Sequence, residues 1–416
     1  MNNTSGYRCS LCGRTYNLDE IQYTCPADGG NLDVVLDSES IRQQTRPETI
    51  TTSKETSLWR YLPLLPVTDP QAIGTPLRVA GWTPVFRPPY LEKIHGVKEL
   101  WVKDESRNPT ASFKDRASSV VVARAQQIKA EVVVTASTGN AGAALAGMAA
   151  AVGQKAVILA PRTAPPAKIA QLLVFGAEVI LVEGSYDDAF DLTIQAAQEF
   201  GWYCRNTGYN PFTAEGKKTA AFEIWEQIIL GEGLAKKGKT LSVFVSVGDG
   251  NIISGIHKGF KDLAALGWLD QMPRLYGIQA EGSAAVANAY NSGNEVIVPV
   301  SAKTLADSIS VDLPRDGIRA VRAAGETGGT YITVSDREIL SAIAGLGKVG
   351  IFAEPAGATS YAGFLRALEA GIITADDPVV VINTGSGLKD TRAAVQAVPE
   401  AKVIEPSLDA LKRVIK

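Results

Sequence analysis

The chain has 416 residues, with 41 Lys and Arg against 44 Asp and Glu, and a formal charge of −3. Hydrophobic residues make up 45% and charged residues 20%. This is the balance of a folded chain and not of a disordered one, and near-neutral charge without a long basic run excludes the footprint of a nucleic-acid binder. The most apolar stretch, residues 141–153, is too short to span a bilayer, which takes about 20 residues. The polar start Met1-Asn-Asn-Thr-Ser-Gly6 lacks the apolar core of a signal peptide, so a cytoplasmic chain is expected. The length allows two or three domains at roughly 100–200 residues each, and the two histidines, His95 and His257, exclude a multi-histidine metal centre.

Residues 1–36 read as a small zinc-ribbon-like unit. Cys9-Ser-Leu-Cys12-Gly13 is a CxxCG knuckle, and Cys25-Pro-Ala-Asp28 stands where a second knuckle would close the ribbon. Cys9, Cys12 and Cys25 with a fourth ligand make a tetrahedral zinc site, the staple that so small a fold needs. The fourth position holds Asp28 where a ribbon has cysteine. Zinc held by three thiolates and a carboxylate therefore stands against a relic knuckle that keeps the backbone without a metal. Disulfide pairing fits an intracellular chain less well than either.

Residues 37–75 are polar and then proline-bearing, with Pro63, Pro66 and Pro70, and read as an arm or linker. From Leu100 onward short β-branched runs alternate with Ala-rich helical stretches. Strands are expected at 132–135, 156–159, 179–182, 241–247, 275–280 and 378–382, most of them followed by a glycine-containing loop and an apolar-periodic helix. That alternation specifies βαβ units, hence an α/β fold with mostly parallel sheets and helices on both faces.

In open α/β sheets, ligands bind beyond the carboxyl ends of the strands, and four loops carry residues suited to that position. In Arg107-Asn-Pro-Thr-Ala-Ser-Phe-Lys114-Asp-Arg116, Asn108-Pro109 signals a turn. Ser112 and Asp115 read as a capping pair for a helix running to about Ala125. Lys114 then falls in the first helical turn, where the dipole disfavours an ammonium ion and favours the neutral amine that can form a Schiff base. Ser137-Thr138-Gly139-Asn140 between a strand and a helix offers an anion cradle, with an amide able to donate to a phenolate or carboxylate oxygen; plain helix capping would use the same residues. Val247-Gly248-Asp249-Gly250-Asn251-Ile252 has glycines that let main-chain amides approach a phosphate. Thr384-Gly-Ser-Gly387 delivers a hydroxyl from a buried strand into a glycine turn. A helix-start lysine, an amide-rich phosphate cradle, an asparagine and a hydroxyl are the inventory for an aromatic aldehyde cofactor bearing a phosphate, used as an organic electron sink.

Asn108-Pro-Thr-Ala-Ser-Phe-Lys-Asp-Arg116, Ser137-Thr-Gly-Asn140, Val247-Gly-Asp-Gly-Asn-Ile252 and Thr384-Gly-Ser-Gly-Leu-Lys-Asp390 together resemble the threonine synthase family. Its members are fold-type II pyridoxal-phosphate enzymes of the tryptophan-synthase β-subunit group, and the resemblance covers roughly residues 75–400. It implies a large α/β domain from 76–107 and 206–416 around a small one at 108–205. It implies Lys114 as the Schiff-base lysine and proton shuttle, with Phe113 beside it, and Asn140 on the phenolic oxygen. The loop of Val247, Gly248, Asp249, Gly250, Asn251 and Ile252 would bind the cofactor phosphate, and Thr384 would face the pyridine nitrogen. Ser137, Thr138, Gly139 and Lys168 would serve the substrate, and the family suggests a homodimer. The implied reaction eliminates phosphate from O-phospho-L-homoserine and adds water to give L-threonine.

Three departures stand out. The family usually has glycine where Ala111 stands, often Thr or Ser where Ala141 stands, and often arginine where Thr213 stands. The last two positions help to hold the substrate phosphate in the family, and an arginine contact to phosphate is charge-assisted and bidentate. Arg162, Lys168, Arg205 or Lys217 would have to compensate. A pyridoxal-phosphate lyase acting on another amino acid, like a serine or threonine dehydratase or a cysteine synthase, is the alternative reading.

Overall fold

Three β-sheets organise the described part of the chain, residues 3–20 and 23–415 of a computed structural model. Met1, Asn2, Ile21 and Gln22 of the expected ribbon lie outside the described residues. The strands are β1 (Thr4–Cys9), β2 (Thr15–Tyr16), β3 (Leu32–Leu36), β4 (Val85–Phe86), β5 (Leu100–Asp104), β6 (Val132–Ala136) and β7 (Lys155–Pro161). They continue as β8 (Glu178–Val182), β9 (Tyr203–Cys204), β10 (Ser242–Ser246), β11 (Arg274–Ala280), β12 (Tyr331–Val334) and β13 (Val379–Asn383). The largest sheet has the order β12-β11-β10-β13-β5-β4, parallel except for β4. A second sheet, β8-β7-β6-β9, is parallel throughout. The fold is α/β with mostly parallel sheets.

Strands covered by helices on both faces read as unbroken apolar runs. Val379-Val-Val-Ile382 and Val132-Val-Val134 are buried along their whole length for that reason. The six expected strands are all present. β5 and β12 were not expected, because Lys103, Asp104 and Thr333 interrupt the apolar pattern. Lys103 is tolerated in the interior by an ion pair to Glu223 at 2.7 Å.

The N-terminal sheet, β2-β1-β3, is antiparallel. Tyr7, Cys9, Cys25, Leu32 and Val34 share one apolar core with Val120, Val121 and Leu145, so the ribbon packs on the body of the protein. Residues 37–75 pack on the body of the protein. They form short helices at Ser38–Gln44 and Pro47–Thr51 and a 3-10 turn at Leu58–Leu64. Leu58, Trp59, Tyr61 and Leu64 are buried, and Arg60 Nε donates to Glu226 Oε2 at 2.9 Å. The polar composition concealed these anchors.

The helix carrying Lys114 spans Lys114–Gln127, but the expected cap is different. Ser112 bridges Gly385 in extended conformation, and its hydroxyl caps nothing. Asp115 instead accepts from the Thr110 main-chain N–H at 2.6 Å. A tertiary ladder has replaced the local capping pair. Among the described residues, no helix is long and apolar enough to cross a membrane.

Candidate active site

The four singled-out loops leave the carboxyl ends of β5, β6, β10 and β13. β13 lies between β5 and β10, so the loops after these three neighbours converge. The lysine and threonine loops interlock. Phe113 N–H donates to Thr384 O at 2.9 Å and Ser386 N–H to Ala111 O at 3.1 Å. Ala111 has φ of +64° in this contact, a left-handed conformation that an L side chain adopts at a cost.

Phe113, Lys114, Asn140, Thr384 and all of residues 247–252 line one cavity of about 500 Å³. Lys114 is the first residue of its helix and is half-buried against this space. Burial first, and the charge of Arg205 second, push its ammonium down to about 8, against opposing pulls from Asp249 and Glu354. Asn140 Nδ2 donates to Glu354 Oε1 at 2.8 Å and lies 3.3 Å from Ser308 Oγ. Burial raises the Glu354 carboxyl, with Asn140 opposing.

The phosphate-type loop is built around Gly250, whose φ is +90° and which caps the helix Asn251–Ala265. A Cβ there would lie 2.6 Å from Asp316 O, so glycine is required. The first N–H groups of that helix have no intrahelical acceptors and face the loop end, as at any helix start. Asn251 Nδ2 donates to Asp316 Oδ2 at 2.6 Å, and its Oδ1 accepts from the fully buried Lys217. Burial holds the Lys217 ammonium well below the usual lysine range, with Lys114 and Arg205 adding to it.

An adjoining cavity of about 630 Å³ is lined by Thr138, Gly139, Lys168, Gln171, Asp307 and Lys389, and shares Asn140, Ser308 and Glu354 with the first. Lys168 pairs with Asp307, and Lys389 Nζ donates to Gln171 Oε1 at 3.2 Å. Ser137 lies on neither wall; its carbonyl faces Gly142. Of the cations offered in place of the missing arginine, Arg162 is exposed and pairs with Glu183 away from both cavities. Arg205 is fully buried, with one guanidinium nitrogen unpaired. Thr213 Oγ1 lies 3.1 Å from Asn251 Oδ1.

Sequence reasoning missed Ser246, Ser308, Glu354 and Lys389. Glu354-Pro355 opens the helix Pro355–Glu369, and a carboxylate before a helix-starting proline was a usable signal. Ser246 ends an apolar strand and Ser308 sits in an irregular run, so neither carried one.

The walls fit pyridoxal phosphate. The buried Ser246 hydroxyl lines the cavity without a hydrogen-bond partner, the amide cradle suits a phosphate, and an amine of depressed basicity and Thr384 line the same cavity. Residues 77–385 match the family model described as pyridoxal-phosphate dependent enzyme. Threonine synthase of Methanocaldococcus jannaschii is 42% identical over 412 residues, 98% of this chain and 99% of that one. The chain belongs to the threonine synthase family of pyridoxal-phosphate dependent enzymes. The threonine synthase of Methanosarcina acetivorans is 37% identical over 98% of both chains. That of Synechocystis is 36% identical over 81% of this chain and 84% of its own. Among solved structures, tomato (Solanum lycopersicum) threonine deaminase isoform 2 superposes with a TM-score of 0.66 at 22% identity, covering 82% of this chain and 94% of that one. Maize serine racemase superposes at 0.61 and 24% identity, covering 73% and 88%. These two likenesses establish the shared fold, that of fold-type II enzymes in this family.

At the N-terminus, the Cys9, Cys12 and Cys25 sulfurs and an Asp28 oxygen all lie within 4.8 Å of one another.

Proposed function

We propose that this member of the threonine synthase family converts O-phospho-L-homoserine and water to L-threonine and phosphate. The observation that carries the reading is the convergence of Lys114, Asn140, Thr384 and residues 247–252 on one cavity, in a chain alike over nearly its whole length to threonine synthases. Bound pyridoxal phosphate supplies an electron sink that acidifies the hydrogens beside the substrate's amino group.

Lys114 would hold the cofactor through its amine, and its free amine would move protons on and off the substrate carbons. Its lowered basicity suits both tasks near neutral pH. The amides of residues 248–252 would hold the cofactor phosphate at a helix start, and the unpartnered Ser246 hydroxyl would be free to donate to it. Asn140 orients the phenolic oxygen. Thr384 offers the ring nitrogen a hydroxyl where a carboxylate would keep it protonated, which moderates the sink and suits elimination followed by replacement. Thr138 and Gly139 receive the substrate carboxylate at the next helix start. Lys168 and Lys389 in the adjoining cavity supply the phosphate contacts that Ala141 and Thr213 do not, including the positive charge missing at Thr213. Loss of phosphate breaks the terminal carbon–oxygen bond, and water then adds one carbon closer to the amine.

A near-neutral chain suits a cytoplasmic enzyme, and the family suggests a homodimer. We assign zinc as the guest of Cys9, Cys12, Cys25 and Asp28. The function is tested by supplying O-phospho-L-homoserine and measuring threonine and free phosphate together.

A further inference from the structure

We infer that the zinc knuckle and the phosphate loop are coupled: metal in the ribbon braces a relay of charged side chains that ends on Asn251, so metal occupancy sets how tightly the cavity holds a phosphate group. The inference rests on the reading of the cysteine cluster as a zinc site.

The cluster has the dimensions of such a site. Cys12 Sγ and Cys25 Sγ lie 3.8 Å apart, the edge of a tetrahedron whose zinc–sulfur bonds are about 2.3 Å. Cys9 Sγ lies 3.3 Å from Asp28 Oδ1. The main chain is drawn in around these atoms. Leu11 N–H points at Cys9 Sγ at 3.3 Å and Gly30 N–H at Asp28 Oδ1 at 2.8 Å. A Cβ on Gly30 would lie 2.8 Å from Cys9 Sγ.

The knuckle positions β3. Cys9 is paired with Leu32 and Arg8 with Asp33 across the β1–β3 ladder, and Ser10 N–H donates to Asn31 O at 2.9 Å. Asp33 therefore stands one residue from the strand pair that the metal pins. Its Oδ1 meets Arg319 Nη1 at 2.6 Å. Arg319 turns its other edge to Asp316, with Nε to Oδ1 at 2.6 Å and Nη2 to Oδ2 at 2.7 Å. Asp316 Oδ2 in turn accepts from Asn251 Nδ2 at 2.6 Å, and Asp316 N–H donates to Asp249 O at 2.9 Å. Each link is a charged or amide group, and Asp316 and Asn251 are almost wholly buried. Such bonds are strong and directional where water is excluded. The relay thus joins a half-exposed knuckle to both ends of the turn that would cradle the phosphate.

The ribbon needs the metal for this. Its strands have six, two and five residues, and a sheet that small has too little core to hold its own shape. In a metal-stapled fold the binding energy is folding energy. The ribbon also touches the body elsewhere: Cys204 N–H donates to Tyr23 Oη at 2.9 Å, and Asn31 Nδ2 to Arg315 O at 3.1 Å. Metal loss should therefore loosen the relay without detaching the ribbon.

The experiment uses the full chain, stripped of cofactor, and measures zinc per chain, the dissociation constant for pyridoxal phosphate and the melting temperature. Wild type should hold one zinc. Chelation and Cys12→Ser should each remove it and weaken pyridoxal phosphate binding by about tenfold, within the usual range of coupling between sites, and zinc chloride should restore the chelated wild type. Asp33→Ala should keep its zinc and still lose about the same affinity, which zinc does not restore. If Cys12→Ser fails to fold, reversible chelation and Asp33→Ala carry the test. Zinc-free protein, or zinc-loaded Asp33→Ala, with wild-type affinity would overturn the coupling while leaving the metal site standing. Failure to take up zinc even from zinc chloride would overturn the metal reading and the coupling with it. Neither outcome bears on turnover of O-phospho-L-homoserine by the wild type.

Discussion

The main-chain N–H of Phe113 donates to the carbonyl of Thr384 at 2.9 Å, although the two residues lie far apart in the sequence. The bond flanks an antiparallel bridge between Ser112 and Gly385, in the loops beyond the parallel pair β5 and β13. Lys114 and the Thr384 hydroxyl are thereby carried by two segments that cannot move independently. A group held between them meets a fixed amine and a fixed hydroxyl, the preorganisation that catalysis at a bound ring requires.

Lys114→Ala should remove the covalent anchor of the cofactor while leaving the fold intact. The visible absorbance of lysine-bound pyridoxal phosphate should vanish, and turnover should fall by about three orders of magnitude or more, the range for loss of an acid–base group. Borohydride reduction of the wild type followed by peptide mapping should label Lys114; label on another lysine would contradict the assignment.

The pH dependence of cofactor capture should follow the Lys114 amine. Burial and the Arg205 charge lower it to about 8, and only the neutral form attacks an aldehyde. Capture by stripped protein should rise about tenfold per unit below pH 8 and level off above it. Arg205→Gln removes a repelling charge, so the bend should move to higher pH. Stopped-flow absorbance across pH 6–10 measures both.

Ala111→Gly should leave activity unchanged and stabilise the protein slightly. A left-handed alanine costs about 1–2 kcal/mol, and the added freedom of glycine in the unfolded chain returns about 0.4–1 kcal/mol of that. A net gain of about 0.5 kcal/mol is expected in urea denaturation. The φ of +64° at Ala111 accounts for the glycine that the family usually has there.

Behind the lysine loop, Arg116 is buried between Glu105 and Glu223, with Nε to Glu105 Oε2 at 2.7 Å and Nη2 to Glu223 Oε2 at 2.7 Å. Arg116→Met leaves the buried Glu105 without its cation and Glu223 with Lys103 alone, and should cost about 3–5 kcal/mol. Burial alone would raise the Glu223 carboxyl, but Arg116 and Lys103 outweigh it and hold it at about 2. Its folded value is thus below its unfolded one. The stability it contributes is complete above the ordinary glutamate range and is lost as pH falls from about 4.3 toward 2. Acid unfolding of the wild type should steepen in that window, and the Glu223→Gln variant should lack the contribution.

Much of the architecture was legible because buried parallel strands declare themselves as β-branched runs, as at β6 and β13. β5 escaped because Lys103 and Asp104 look like surface residues until Glu223 and Asn383 come to meet them. The site was legible where its parts are local: a lysine at a helix start, glycines before Asn251, a hydroxyl after β13. The partner of Glu354 was not, because Glu354 meets Asn140 across 214 residues of chain, although its place before a helix-starting proline was a local sign. Ser246 looked like a strand end until the cavity exposed its unpaired hydroxyl. The Ser112 cap failed for the opposite reason: a sound local rule yielded to the tertiary bridge with Gly385.

Purified protein loaded with pyridoxal phosphate and given O-phospho-L-homoserine should release L-threonine and inorganic phosphate in equal amounts, and Lys114→Ala should release neither. Absence of both products from the wild type, with serine, threonine or O-acetylserine consumed in place of O-phospho-L-homoserine, would contradict the account and move the chain to a different pyridoxal-phosphate lyase.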